Sequence, residues 1–289
     1  MRQADTGKIR HMIGVFDSGH GGLTVMRALV ARFPHRQFVY LGDHAHAPYG
    51  DRSGTDIVEL TAAACGKLYE MGCGLVIMAC NTATAVAGRT LQQTWLPEAW
   101  PERRLLGIIA PTVEAATQTP WHVKEPVFPQ KFNTDTIALF ATTATVQSGV
   151  YAEEIHKRCP RVQVASQACP RLVSMLESGA PRADIKVAVE DYVATLLGGL
   201  ERTPEWAILG CTHYPLIADL FRAALPPETR LLDQPKVVAN ALEDYLERKP
   251  ALAGASGAAT YFTTGEVGEV RRVAEMFIGE YVPFNKLED

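Results

Sequence analysis

The chain has 289 residues, 47% of them hydrophobic and 21% charged, which is enough apolar material for one large core or two smaller ones. A formal charge of −4, with lysine and arginine scattered along the chain, argues against nucleic acid as a main partner. No apolar run reaches the roughly 18 to 20 residues of a membrane span, and the first dozen residues lack the apolar stretch of a secretory signal; the expected setting is the cytoplasm, with no membrane partner.

In chain order, short β-rich runs alternate with stretches of helical period: MIGVF, a helix over Gly22 to Phe33, FVYLG, a helix over Thr55 to Met71, then LVIMA. The alternation continues through LLGII, TIALFA, VQVAS, WAILG and TRLLD, with helical patterns at Val146 to Lys157, Pro181 to Leu200 and Val237 to Arg248. Such βαβ repetition predicts parallel sheets, and two smaller α/β domains suit the count better than one long sheet. Between Gln118 and Asp135, Pro120, Pro126 and Pro129 interrupt any helix and no alternation appears, so this segment reads as a surface or contact loop. A domain boundary is expected just before it, near Ala110 and Pro111.

The two halves carry a faint internal repeat. IGVFDSGHGGLTV and IALFATTATVQSG both run strand, polar turn, helix, and LVIMACNTAT in one half parallels AILGCTHYPL in the other. Of the six cysteines, at 65, 73, 80, 159, 169 and 211, none forms a CxxC pair or a zinc-ligand spacing with histidine, and all are expected as thiols. Cys80 and Cys211 each end an apolar strand and precede small polar residues that open a helix. Ligands bind at this end of the strands in open α/β sheets, and a helix N-terminus draws a thiol's pKa down.

Two thiols in matching positions of matching domains suit one reaction class, inversion at a carbon. One group removes the proton from one face while the other delivers a proton to the opposite face. A free thiol near pKa 8.5 needs only a modest downward shift to serve as a base, and two neighbouring thiols tend to share one proton. Asp17 and Ser18 after the first strand, Asp43 after FVYLG and His213 beside Cys211 are candidate partners that orient or polarise the thiols.

Taken together, IGVFDSGHGGLTV, YLGDHAHAPYG with RS, ACNTAT, ATTATVQSGVY, ACPRLVSMLESG and ILGCTHYPL resemble the glutamate racemases, from about Ile13 to Leu232. The resemblance implies two pseudo-symmetric α/β domains with mainly parallel sheets and the active site in the cleft between them. On that pattern the first domain, carrying Cys80, comprises residues 11–110 plus 226–289, and the second, carrying Cys211, residues 111–225. The implied activity is interconversion of L- and D-glutamate without cofactor or metal, supplying peptidoglycan precursors, in a homodimer. By motif position, Cys80 takes the proton from D-glutamate and Cys211 from L-glutamate, assisted by Asp17, Glu177 and His213. Ser18, Tyr49, Gly50, Asn81, Thr82, Thr142, Thr145 and Thr212, with Asp17 and His213, are implied to bind the substrate, and Asp43 matches a further family position near the cleft.

Three features depart from the family pattern: the long Gln118 to Asp135 segment, Thr112 in place of a glycine, and Asp51 where PYG is usually followed by proline. Other readings stand beside the racemase. GHGG could be part of a phosphate loop, although Thr24 replaces the sixth-place glycine and no Walker lysine follows. His44 and His46 beside Asp43 could ligate a metal. Aspartate or another small amino acid could be the substrate, or the fold could serve a non-catalytic regulatory binding protein.

Overall fold

The computed structural model describes residues 12–120, 125–126 and 136–288. Its strands are β1 (Met12–Asp17), β2 (Phe38–Gly42), β3 (Cys73–Met78), β4 (Arg104–Gly107), β5 (Thr136–Ala141), β6 (Gln163–Ala168), β7 (Trp206–Gly210), β8 (Arg230–Leu232), β9 (Thr260–Thr263) and β10 (Phe284–Lys286). The helices of the first half are α1 (Leu23–Arg32), α2 (Gly54–Glu70), α3 (Asn81–Thr90), α4 (Leu96–Ala99) and α5 (Ile109–Thr117). Those that follow are α6 (Thr143–Ser148), α7 (Val150–Arg158), α8 (Leu172–Glu177), α9 (Arg182–Gly198), α10 (Ala218–Ala224), α11 (Gln234–Arg248) and α12 (Val267–Ile278). Most of the Gln118 to Asp135 segment lies outside the described residues. Among those described, no helix is long and apolar enough to cross a membrane.

The strands form two sheets whose ladders are all parallel, ordered β10-β9-β2-β1-β3-β4 and β6-β5-β7-β8. Both faces of each sheet are covered, which is why the central strands read as near-continuous apolar runs. On the first sheet, Ile13, Val15, Tyr40 and Ile77 pack under α1, α11 and α12, while Phe16, Leu41, Val76 and Met78 pack under α2 and α3. On the second, Phe140 and Leu209 face α8, α9 and α10, and Ile137, Leu139 and Ile208 face α5 and α7. The order β2-β1-β3-β4 recurs as β6-β5-β7-β8, so the repeat seen in the sequence is a repeat of topology. In each sheet the chain first runs to one side of the initial strand and then to the other. The resulting crevice opens at the carboxyl ends of β1 and β3, and of β5 and β7, where ligands bind in such folds.

Several expectations shift. Arg230–Leu232 pairs with β7, so the second sheet reaches Leu232 and the return to the first lies after it, not at residue 226. The helix expected over Val146 to Lys157 is broken at Gly149, whose φ of +66° ends α6 and starts α7. Strand β9, paired with β2, and the edge strand β10 beside it complete the first sheet; both are too short to show a period.

Candidate active site

Both cysteines stand at the crevice ends. Cys80 follows β3 and is the N-cap of α3, its Sγ accepting the Ala83 N–H at 3.3 Å and lying 3.3 Å from Ser18 Oγ. Cys211 follows β7, the equivalent strand of the other sheet. Both thiols are 5% exposed and line one cavity of about 180 Å³ at the junction of the two sheets. That is smaller than the roughly 300 Å³ at which drug-sized sites begin, so it suits a ligand of amino-acid size and not a nucleotide.

The surroundings of the two sulfurs differ. Cys211 Sγ lies 3.8 Å from His213 Nδ1, and His213 Nε2 lies 3.0 Å from Glu177 Oε1. Burial disfavours the charged ring of His213, but Cys211 and Glu177 outweigh it and push the imidazole up to about 10. Burial also opposes the Glu177 carboxylate, yet hydrogen bonds from His20 and His213 hold it well below the usual carboxylate range. On the opposite side, burial and then the negative charge of Asp17 push the Cys80 thiol up to about 12, against the pull of Ser18 and the Ala83 N–H. The expected lowering by the helix N-terminus is therefore reversed at Cys80, because desolvation of the sulfur exceeds what two hydrogen bonds return. Asp17 is buried behind the sulfurs, which raises its own pKa, and accepts the Gly19 N–H at 2.9 Å and the Thr212 hydroxyl at 3.4 Å.

Of the residues implied by the family pattern, Ser18, Tyr49, Gly50, Cys80, Asn81, Thr82, Thr142, Glu177, Cys211, Thr212 and His213 line the cavity. Thr145 stands behind the wall, accepting from Thr142 at 3.0 Å and lying 3.3 Å from Thr82 Oγ1. Two side chains are committed elsewhere. The Tyr49 hydroxyl donates to Asp43 Oδ2 at 2.6 Å, and Asp43 also accepts from Thr264 and meets His46 Nδ1 at 2.8 Å, pinning the loop that carries Tyr49 and Gly50. The Asn81 amide exchanges hydrogen bonds with Gln234 at 2.8 and 3.1 Å and accepts from Tyr151 at 2.7 Å. Thr112 joins this buried network by accepting from Gln234 Nε2 at 2.9 Å, which gives the unusual threonine a partner.

The GHGG turn is not a phosphate cradle. A Cβ on Gly21 would lie 2.5 Å from both His213 Nδ1 and Thr212 Oγ1, so this glycine lets the two halves close on each other, while one on Gly22 would lie 2.4 Å from the Asp17 Cβ, so that glycine lets the turn fold back on its own strand. His44 Nδ1 lies 2.9 Å from the Thr263 hydroxyl, and His46 faces Asp43. Asp51 lines the cavity and is exposed. Sequence reasoning missed Cys169, Pro170, Val173 and Ser174 in the wall, although the ACPRLVSMLESG run carries them at the end of β6. It also missed His20, whose Nδ1 lies 3.3 Å from Glu177 Oε1.

Among the described residues no lysine or arginine lines the cavity. Carboxylates entering it meet hydroxyls, amides and backbone N–H groups, and the two thiols come from separate sheets. A site built this way can bind a small amino acid and move protons at it.

The chain resembles known proteins over nearly its whole length. Residues 13–242 match the Asp/Glu/hydantoin racemase family. The chain is 51% identical to a glutamate racemase of Phenylobacterium zucineum over 278 residues, covering 94% of this chain and 98% of that protein. Its fold matches a glutamate racemase isoform of Bacillus anthracis with a TM-score of 0.82 at 27% identity, covering 97% of this chain and 98% of the other. It also matches the glutamate racemase of Francisella tularensis in complex with D-glutamate, with a TM-score of 0.81 at 27% identity, covering 96% and 98% of the two chains.

Proposed function

The chain belongs to the Asp/Glu/hydantoin racemase family, and from that premise we propose that it is a glutamate racemase working by proton transfer between the substrate α-carbon and two cysteines, Cys80 and Cys211. The observation that carries this reading is the placement of both thiols, from equivalent strands of the two sheets, in one small cavity.

In this reading Cys211 starts as a thiolate, held in that form by the adjacent His213 and, through it, Glu177, and takes the α-proton of L-glutamate, becoming a neutral thiol as the charge passes to the α-carbon. Cys80 then delivers a proton to the opposite face; its raised pKa keeps it protonated and ready to donate. In the reverse direction Cys80 must lose that proton. The ammonium of a bound amino acid brings positive charge into the cavity and opposes the desolvation that holds the thiol neutral. Removal of a weakly acidic α-proton requires the carbanion to be stabilised. Hydroxyls and backbone N–H groups fixed around the α-carboxylate in a water-poor site supply that stabilisation. By the same family resemblance, the D-glutamate formed feeds peptidoglycan precursors, and the enzyme works in the cytoplasm as a homodimer.

The test is incubation of the purified protein with L- or D-glutamate in heavy water, following optical rotation and α-hydrogen exchange. Wild type is expected to racemise and exchange from both enantiomers, and Cys80→Ser and Cys211→Ser each to lose turnover. Exchange from neither enantiomer would sink the reading, as would wild-type racemisation by either variant. Faster turnover of aspartate would change the substrate.

A further inference from the structure

His20 lies in the DSGHGG turn of the first domain and is 7% exposed. Its Nδ1 lies 3.3 Å from Glu177 Oε1, the same oxygen that His213 Nε2 meets at 3.0 Å. Its Nε2 lies 3.2 Å from the carbonyl of Val270 in α12, and a ring bearing an N–H at both positions donates to both oxygens. Glu177 ends α8 and His213 follows β7, both in the second domain. One carboxylate oxygen therefore joins a histidine of each domain. Phe277 of α12 packs edge-on against both rings, with centroids 5.7 Å from each, and His44 meets His20 at 4.2 Å.

A carboxylate bound by a single partner can rotate about its last torsion. Here a second donor, anchored to the first domain through Val270, restricts the Oε1 that supports His213. The array His20, Glu177, His213, Cys211 is continuous only while the domains are closed on each other. Cys80 has no such link, its partners Ser18 and Ala83 being in its own domain.

We propose that His20 is a positioning residue for proton transfer at Cys211: it crosses the domain junction to fix the Glu177 oxygen that orients His213, and so makes that half-reaction depend on domain closure. The proposal rests on the two-thiol reading above and adds to it an asymmetry between the two faces.

The experiment compares wild type, His20→Phe, which keeps a ring against Phe277 and His44 but removes both nitrogens, and His20→Asn, whose amide can still donate to Glu177. Each is assayed with L- and D-glutamate, unlabelled and α-deuterated, after a thermal melt to check folding. Because two enantiomers are equal in free energy, kcat/KM must fall equally in both directions, by about tenfold for His20→Phe. The isotope effects need not move together. Slowing transfer at Cys211 makes that step more rate-limiting, so the effect on deuterated L-glutamate should rise and that on deuterated D-glutamate should fall. His20→Asn should restore the wild-type pattern. In a Glu177→Gln background His20→Phe should add little, since one effect acts through the other.

Isotope effects on the two enantiomers that move together, or kcat/KM within twofold of wild type, would overturn the positioning role while leaving the racemase intact. If His20→Phe does not fold, His20→Asn decides: a loss as large as that of Glu177→Gln would overturn the proposal, and near-wild-type isotope effects would support it. Absence of exchange by wild type itself would instead remove the two-thiol reading.

Discussion

Gly21→Ala isolates the closeness of the two domains from their chemistry. Gly21 does not sit at a positive φ, so alanine suits the backbone and the perturbation is one methyl group. That methyl would lie 2.5 Å from His213 Nδ1, 2.5 Å from Thr212 Oγ1 and 2.8 Å from His213 Cε1, where ordinary contact begins at 3.4 Å. Something must therefore retreat by nearly an ångström. His213 is buried and held at Nε2 by Glu177, and the Thr212 carbonyl accepts from Thr24 at 2.9 Å, so neither can move without breaking a partner. Overpacking of this kind costs about 1–3 kcal/mol of stability. Displacing a group that supports proton transfer by about 1 Å can cost about a hundredfold in rate. Gly66→Ala serves as the control. Gly66 is inside α2 with its nearest neighbour 3.9 Å away, so alanine there should stabilise by about 0.5–1 kcal/mol and leave activity alone. Racemisation followed by circular dichroism from each enantiomer, with thermal melts, checks both. If Gly21→Ala kept kcat within twofold of wild type and an unchanged Tm, the close approach of the GHGG turn to His213 would be wrong.

Two further outcomes follow from the geometry. Because burial holds the Cys80 thiol near 12, its thiolate is scarce at neutral pH and increases about tenfold per pH unit well beyond 9; mass-spectrometric readout of iodoacetamide labelling at Cys80 in the ligand-free enzyme should keep rising to pH 10, and a plateau by pH 9 would contradict the desolvation argument. Replacing Gln234 by leucine takes the acceptor from the buried Asn81 Nδ2, at a cost of about 1–3 kcal/mol for that unsatisfied group, while Thr112 keeps its bond to the Ile108 carbonyl; an unchanged melting temperature would mean that water or another partner takes over this network.

Much of the site can be read from local pattern. Cys80 and Cys211 stand out because an apolar strand, a thiol and a helix start occur together twice, and parallel topology sends matching strand ends to matching places. Other features depend on contacts between residues far apart in the chain. His20 gains its meaning from Glu177, 157 residues away, and nothing in DSGHGG itself points to that carboxylate. Asn81 and Tyr49 line the cavity, and the motifs do not show that their side chains are also engaged by Gln234 and Asp43. The end of the second sheet falls at Leu232 because β8 pairs with β7, a choice of neighbour that a three-residue run cannot signal.

By itself, then, the order of residues determined the alternating α/β build, its repeat and the two thiols, because strand, turn and cap are short-range properties of the chain. Only the tertiary structure decided how each thiol is held. Burial, not the helix end, dominates at Cys80, and a histidine and a carboxylate flank Cys211. Desolvation and charge coupling depend on which distant groups surround an atom, and that is settled only when the two sheets come together.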